Sequence, residues 1–290
     1  MARILLFGNL NRDRLLRLDR PVVPGGRLSG VSEGHRLGGA GANVGTALVW
    51  AGHQVRVCCA IGSDEAGDWL LEQARAQGLE VDWVDRRAPN TAEVLILRSP
   101  GGERTILRID APPPFVPAPD FDPDGFDCLF VNSQSAEVAA VMRRAAGRAL
   151  VVAQMPRVPL GSWPAHILIA SEDDLPARIA ADPLAAGREL AGDLLQWVIV
   201  TKGVRGAVAY GAEGIVSVPA SPAVRVVDTT GAGDAFAAAV VTGALAGWPM
   251  EQILAEASCW SALAIASPTS LPPESLRARL KSRFGRPDAS

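Results

Sequence analysis

The alternation of strand-like and helix-like segments is what most constrains the fold of this chain. The buried run "RILLFG" is followed by the helical "ANVGTALVWAG", which ends at Gly52. Next come the strand-like "QVRVCCAIG" and then "DEAGDWLLEQARAQG", a helix with Asp64 as cap and Gly78 as stop. The rhythm returns further on, with strands near "FDCLFVN", "RALVVAQ", "AHILIAS" and "LQWVIVTKG", helices between them, and a β pair at "AVAYGAEGIVSV". Short apolar strands joined through helices predict a parallel sheet with both faces covered, since parallel strands need crossovers and the crossovers pack on the faces. Two parts fall outside these layers. One is the irregular stretch 14–37, and the other is "AEVLILRSPGGERTILRI", where β-rich runs flank Ser-Pro-Gly-Gly as in a hairpin. Both are candidates for a flap over an edge of the sheet. The connector "APPPFVPAPDFDPDG" holds six prolines and reads as a hinge rather than a domain boundary, because the same alternation lies on both sides of it.

Composition narrows the classes. A chain of 290 residues with 48% apolar content can bury one large core or two smaller ones. A net charge of −3 gives no electrostatic support for nucleic-acid binding, and the basic "RARLKSRFGR" reads as a solvated helix face. Cys58, Cys59, Cys128 and Cys259 form no CxxC pair and no Cys/His metal spacing, and three of them lie in apolar runs as expected of buried thiols. "MARILLFGN" is too short an apolar run for a signal peptide. The uncharged stretch from Ala235 to Met250 carries Thr242, Gly243, Gly247 and Pro249 and so suits a buried helix better than a membrane span. The expectation is a cytoplasmic protein of enzyme size, with neither nucleic acid nor membrane as partner.

The chemistry concentrates in "RVVDTTGAGDAFAAAVV". Val224, Val226 and Val227 read as the end of a strand, and Ala235 to Val241 as a helix of small apolar residues. Gly231 and Gly233 let consecutive N–H groups point at one spot, and the helix N-terminus adds partial positive charge, so the turn Gly231, Ala232, Gly233 is suited to hold an anion. Asp234 beside such a cradle would repel the anion unless it had another task. An isolated Asp in a first helical turn would only offset the dipole, but the flanking glycines and Asp228 favour a general base. That base takes a proton from a hydroxyl attacking a phosphoryl group while the turn stabilises the transferred charge.

A second glycine cluster, "LGGAGANVG", allows close ligand approach at Gly38 and Gly39, and Asn43 offers both a donor and an acceptor. It is not a dinucleotide loop: the GxGxxG spacing fails at Val44, and the loop does not directly follow the first strand. No GxxxxGK[ST] motif exists. Asn11 and Asp13 fall just past the first strand, at the edge where open α/β sheets bind ligands. Each alone would pass as a loop Asx-turn. Together with the glycine clusters they suit a polyol, since a carboxylate can accept from two neighbouring hydroxyls.

In the order "GNLNRD", "GGAGAN", "IGSDEAG", "GGERTIL", "VIVTKGVRGA" and "DTTGAGDAF", the chain resembles the PfkB family of carbohydrate kinases, the ribokinase-like family, over nearly its whole length. The resemblance implies an α/β fold: one three-layer α/β/α sandwich over residues 1–290, with a mostly parallel central sheet and a small β lid from about 14–37 and 91–110. It implies ATP as donor, Mg²⁺, and often a monovalent cation such as K⁺. By the same resemblance Asp234 is the catalytic base and Gly231, Ala232 and Gly233 the anion hole. Asn11, Asp13, Gly38, Gly39 and Asn43 match the sugar-binding motifs, Thr201 and Gly203 the nucleotide site, and Asp228 the monovalent-cation site. A homodimer through the β lid is a further expectation. One departure stands out. Where the family commonly has Asn-x-x-Glu organising Mg²⁺ through water, this chain has "ASEDDLPA", with Ser171 for Asn and Asp174 for Glu. Gln154-Met155-Pro156 also departs from the Asn/Asp-Pro often found after the preceding strand. The expected activity is ATP-dependent phosphorylation of a primary hydroxyl of a small sugar. A nucleoside kinase, and a sugar- or nucleotide-binding protein with weak or lost catalysis, are the alternatives.

Overall fold

Alternate residues of strand β1 (Arg3–Phe7) enter two different cores: Ile4 and Leu6 pack into one, Leu5 and Phe7 into the other. The same parity holds along β9 (Cys128–Val131), β10 (Leu150–Gln154), β11 (Ile167–Ser171) and β12 (Trp197–Thr201), so the sheet is buried on both faces. That is why these strands read as continuous apolar runs rather than alternating ones. A computed structural model describes residues 1–101, 103–109, 114–133, 135–157, 161–222 and 226–284, without the side chains of 177 and 178.

The large sheet has the order β14-β13-β12-β11-β10-β9-β1-β4, where β4 is Gln54–Cys58, β13 Ala207–Gly211 and β14 Gly214–Val218. All neighbours are parallel except β12–β13 and β13–β14, the expected β pair. One face carries α1 (Ala40–Trp50), α2 (Glu65–Ala76), α6 (Ala232–Leu245), α7 (Met250–Ile265) and α8 (Glu274–Phe284). The other carries α3 (Ala136–Ala145) with the short α4 (Ala177–Ala181) and α5 (Pro183–Ala191). Ala237, Ala238 and Ala239 make α6 thin enough for its length from Ala235 to Gly243 to lie buried against α1 and α7. Each fully buried aliphatic side chain in such layers contributes about 1.5–3 kcal/mol of transfer free energy.

The residues left over by the layers form a second sheet of order β3-β2-β7-β8, from β2 (Asn11–Leu18), β3 (Gly30–Gly38), β7 (Glu93–Arg98) and β8 (Arg104–Ile109). β7 and β8 are the expected antiparallel hairpin, and β2 runs parallel to β7. Register places Arg36, Asp13, Val94 and Arg108 in one row across the four strands, on one face of the pleat.

Four expectations change. "QVRVCCAIG" is two strands, because the chain leaves the large sheet after Cys58 and Ala60–Gly62 (β5) pairs with Asp85–Ala88 (β6) instead. Asn11 and Asp13 stand in strand β2 rather than a loop. Val226 and Val227 form no strand: they run about half-exposed toward the turn, and Val227 N–H donates to the Ile265 carbonyl at 2.8 Å; Val224 lies outside the described residues. The basic C-terminal segment also docks through buried Leu276 and Leu280, with Arg279 and Arg283 paired to Glu256. Residues 114–125 of the connector carry turns but no helix or strand, and its residues 111–113 lie outside the described residues. Cys58, Cys59 and Cys128 are buried and Cys259 half-buried, all as free thiols. Among the described residues no helix is long and apolar enough to cross a membrane.

Candidate active site

The parallel strands all end at one cavity of about 960 Å³, which Gly8, Cys58, Asn132, Gln154, Ser171 and Thr201 line from successive strand ends. The small sheet closes its other side through Asn11, Asp13, Val94, Ile96, Ile106 and Arg108. Two helix N-termini converge there, since Asn43 in the first turn of α1 and Asp234 in the first turn of α6 both line the cavity and touch each other. Their dipoles favour negative charge in the cavity.

Gly231 is the N-cap of α6 with φ +83°, a left-handed conformation, and a methyl group there would overlap the Ser270 carbonyl. The first intrahelical bond runs from the Ala235 N–H to the Gly231 carbonyl at 2.9 Å. The amides of Gly233 and Asp234 precede that bond and stand at the free end of the helix. Asp234 accepts a hydrogen bond from Asn43 Nδ2 at 2.7 Å. Burial of the carboxyl raises its pKa above the ordinary Asp value, and the Asn43 bond opposes the shift without cancelling it. A desolvated carboxylate with one anchored oxygen is a base positioned by its partner.

Asp13 is buried and has a raised pKa, burial outweighing the Arg36 charge and the Asn11 and Arg36 hydrogen bonds. Arg36 Nε donates to Asp13 Oδ2 at 3.3 Å, and Arg36 Nη1 to the Pro268 carbonyl at 3.0 Å. Asn11 is anchored by Asn9, whose Nδ2 donates to Asn11 Oδ1. The glycines behave differently from their expected role: at Gly38 any side chain would overlap the Asp13 carboxylate, so Gly38 makes room for Asp13 and does not line the cavity, whereas Gly39 does. Asn43 Oδ1, Arg36 Nη2 and Ser270 Oγ are buried without a partner among the described residues, and of these three residues Asn43 and Ser270 line the cavity.

On the far wall, Thr201 lines the cavity and donates through Oγ1 to the Ala170 carbonyl at 3.3 Å, while Gly203 turns away from it at φ +54°. Asp174 lines the cavity with its carboxylate held by Arg157 at 2.7 Å. Its neighbour Glu172 is paired with Arg205 and, at 3.8 Å, with Lys202. Asp228 is buried, accepts from the Thr230 N–H at 2.6 Å and is ion-paired with Arg104, which also donates to Thr230 Oγ1. Among the described residues no group of three or more His, Cys, Asp or Glu side chains is arranged to hold a metal.

Asn9, Arg104, Arg108 and Ser270 are site residues that sequence reasoning missed. Asn9 sits two residues from Asn11, and Arg104 lies in the "GGERTIL" motif. Arg108 and Ser270 carry no local signal, since strand register and chain packing alone bring them in.

The model of the pfkB carbohydrate kinase family matches residues 1–112 and 162–275 of this chain. The ATP-dependent ribose-1-phosphate kinase of Halopiger xanaduensis is 28% identical over 275 residues, covering 91% of this chain and 92% of the relative. The aminoimidazole riboside kinase of Salmonella typhimurium is 28% identical over 250 residues, covering 77% and 75%. Among solved structures, ribokinase from Cryptococcus neoformans in complex with ADP superposes with a TM-score of 0.73 at 25% identity, covering 98% of this chain and all of the other.

Proposed function

The chain belongs to the pfkB family of carbohydrate kinases, and from that membership we propose that it transfers a phosphoryl group from ATP to a hydroxyl of a small ribose-type sugar. Relatives named for ribose 1-phosphate and for a riboside share the ribose unit, which supports this acceptor class. The observation that carries the reading is the desolvated Asp234 carboxylate at the head of α6, anchored by Asn43 in the cavity that also exposes Asn11 and Asp13.

Asp13 and Asn11 accept from and donate to the sugar hydroxyls, and Arg36 keeps Asp13 oriented. Asp234 receives the proton of the attacking hydroxyl, the step for which a raised carboxylate pKa is useful. Of the turn Gly231, Ala232 and Gly233, the Gly233 amide is the one that meets the transferred charge, since the Ala232 N–H donates to the Thr229 carbonyl at 3.3 Å. Thr201 belongs to the nucleotide side, whereas Gly203 lies outside the cavity lining and shapes the turn after its strand. ATP would supply the phosphoryl group, and a Mg²⁺ bound with it would neutralise phosphate charge. The Ser270 hydroxyl and the cavity volume fit a nucleotide, and Asp174, which lines the cavity with its carboxylate held by Arg157, would steady through water a Mg²⁺ carried on the phosphates only on leaving that pair. The Arg104 guanidinium already neutralises Asp228, so this carboxylate does not fit a K⁺ site.

A nucleoside is the second acceptor reading, favoured by a cavity arm lined by Met155, Leu175, Ile179 and Leu190. Exposed Val31 and Leu107 on the small sheet support its use as a lid that pairs two copies. The test of the kinase reading is ATP consumption with ribose, ribose 1-phosphate and inosine, and no consumption above the acceptor-free rate with any ribosyl compound would overturn it.

A further inference from the structure

The small sheet carries a cation that no role described above uses. Arg108 stands in the same register row as Asp13, two strands away, on the face that lines the cavity. Strand spacing puts the two backbones about 10 Å apart. Beside it on that face Val94, Ile96 and Ile106 are apolar, while Arg36 and Arg104, the other arginines of that face used by the site, are held by Asp13 and Asp228; Arg108 itself is exposed. Of the two arginines lining the cavity, Arg157 is paired with Asp174, whereas Arg108 has no hydrogen-bond or ion-pair partner among the described residues.

A lone cation on a kinase cavity could serve the donor phosphates. The geometry of β8 argues against that. Arg104, at the other end of the same strand, is the arginine that reaches the turn beside Asp234, where Asp228 and Thr230 hold it. Four residues of strand rise separate Arg108 from it, about 13 Å. Arg108 therefore belongs with the acceptor row of Asp13, beyond the span of a single ribose ring, where a substituent of the sugar would lie.

We propose that the acceptor is an anionic sugar, a ribose carrying a phosphate group on the carbon remote from the attacking hydroxyl, and that Arg108 is the residue that selects it. The inference rests on the kinase reading above and deepens it by naming the substrate class. A planar guanidinium suits a phosphate because it can donate two parallel hydrogen bonds, and charge-assisted bonds of this kind discriminate against neutral analogues. Asp13 accepts from the ring hydroxyls, and Arg108 takes the phosphate at the cavity mouth.

The experiment compares wild type, Arg108→Leu and Arg108→Lys with ribose 1-phosphate, ribose and inosine. We expect wild type to favour ribose 1-phosphate. Arg108→Leu should lower kcat/KM for it by roughly 10- to 100-fold, the scale of one charge-assisted interaction, with neutral acceptors changed by less than about twofold and Arg108→Lys retaining part of the preference. Preference of wild type for a neutral acceptor, or an equal loss for charged and neutral acceptors, would overturn the proposal. Calorimetric binding of ribose 1-phosphate without ATP separates this from the kinase reading. Binding that weakens in Arg108→Leu supports the assignment even in the absence of turnover, and absent binding, or binding indifferent to Arg108, overturns it.

Discussion

Asp234 carries opposite demands of stability and chemistry. Its pKa in the fold is raised by burial, so the folded state binds a proton more readily than the unfolded chain. Stability from this group is therefore lost as pH rises from the ordinary Asp value of 3.8 through the raised value, and stays lost at neutral pH. Asp234→Asn should keep or raise the melting temperature at pH 7 while lowering kcat by roughly 10²- to 10⁴-fold, and the acidic limb of the wild-type rate profile should lie above 3.8. Near-normal kcat in the variant would remove Asp234 from the base role. At Asp13 the consequence is different: if this carboxylate holds the acceptor as proposed, Asp13→Ala should raise the acceptor KM and leave ATP affinity largely unchanged, as steady-state kinetics and calorimetry can show. Asp228 is already balanced by Arg104, so initial rates in potassium and tetramethylammonium salts of equal ionic strength should agree. A strong K⁺ requirement would mean that the guanidinium leaves that carboxylate.

At the scale of elements, α2 shows how one cap ties two units together. Asp64 accepts from the Gly67 N–H at 2.8 Å, and also from the Thr91 N–H at 2.9 Å and the Thr91 hydroxyl, which joins the helix start to the approach to β7. Burial pushes the Asp64 pKa up, but the Thr91 and Gly67 bonds outweigh it and the net shift is downward. Its stabilisation is thus present above the ordinary value of 3.8 and is lost as pH falls through the lowered one. Asp64→Ala should cost about 1–2 kcal/mol, measured by denaturant unfolding at pH 7, and the difference from wild type should shrink in acid. An unchanged midpoint would show that Thr91 finds another acceptor.

For the whole molecule, two apolar cores on the faces of one sheet hold the fold, and no metal cluster among the described residues takes part. EDTA should then abolish turnover while leaving the thermal midpoint of the ligand-free protein unchanged; a fall in the midpoint would reveal a structural metal. ATP with Mg²⁺ should raise that midpoint by mass action, by about 2.7 kcal/mol of stability at a hundredfold excess over Kd.

Local chemistry made much of this legible beforehand. The βαβ rhythm, the hairpin around Ser-Pro-Gly-Gly, the Asp64 cap and the glycine turn before Asp234 are all written in nearest-neighbour preferences, which act over a few residues and survive without tertiary context. The family followed from the order of such motifs. What only the tertiary structure decided is where separated pieces meet. Gly38 admits the Asp13 carboxylate rather than a ligand, because β2 and β3 pair in one register. Asp228 receives Arg104, and Asp174 receives Arg157, through contacts between residues far apart in the chain. Arg108 joins the Asp13 row because a pleated sheet turns every second side chain to one face, and a slip of one residue in β8 would have pointed it away. Register and packing are set by the summed burial of the whole chain, so no window of sequence contains them.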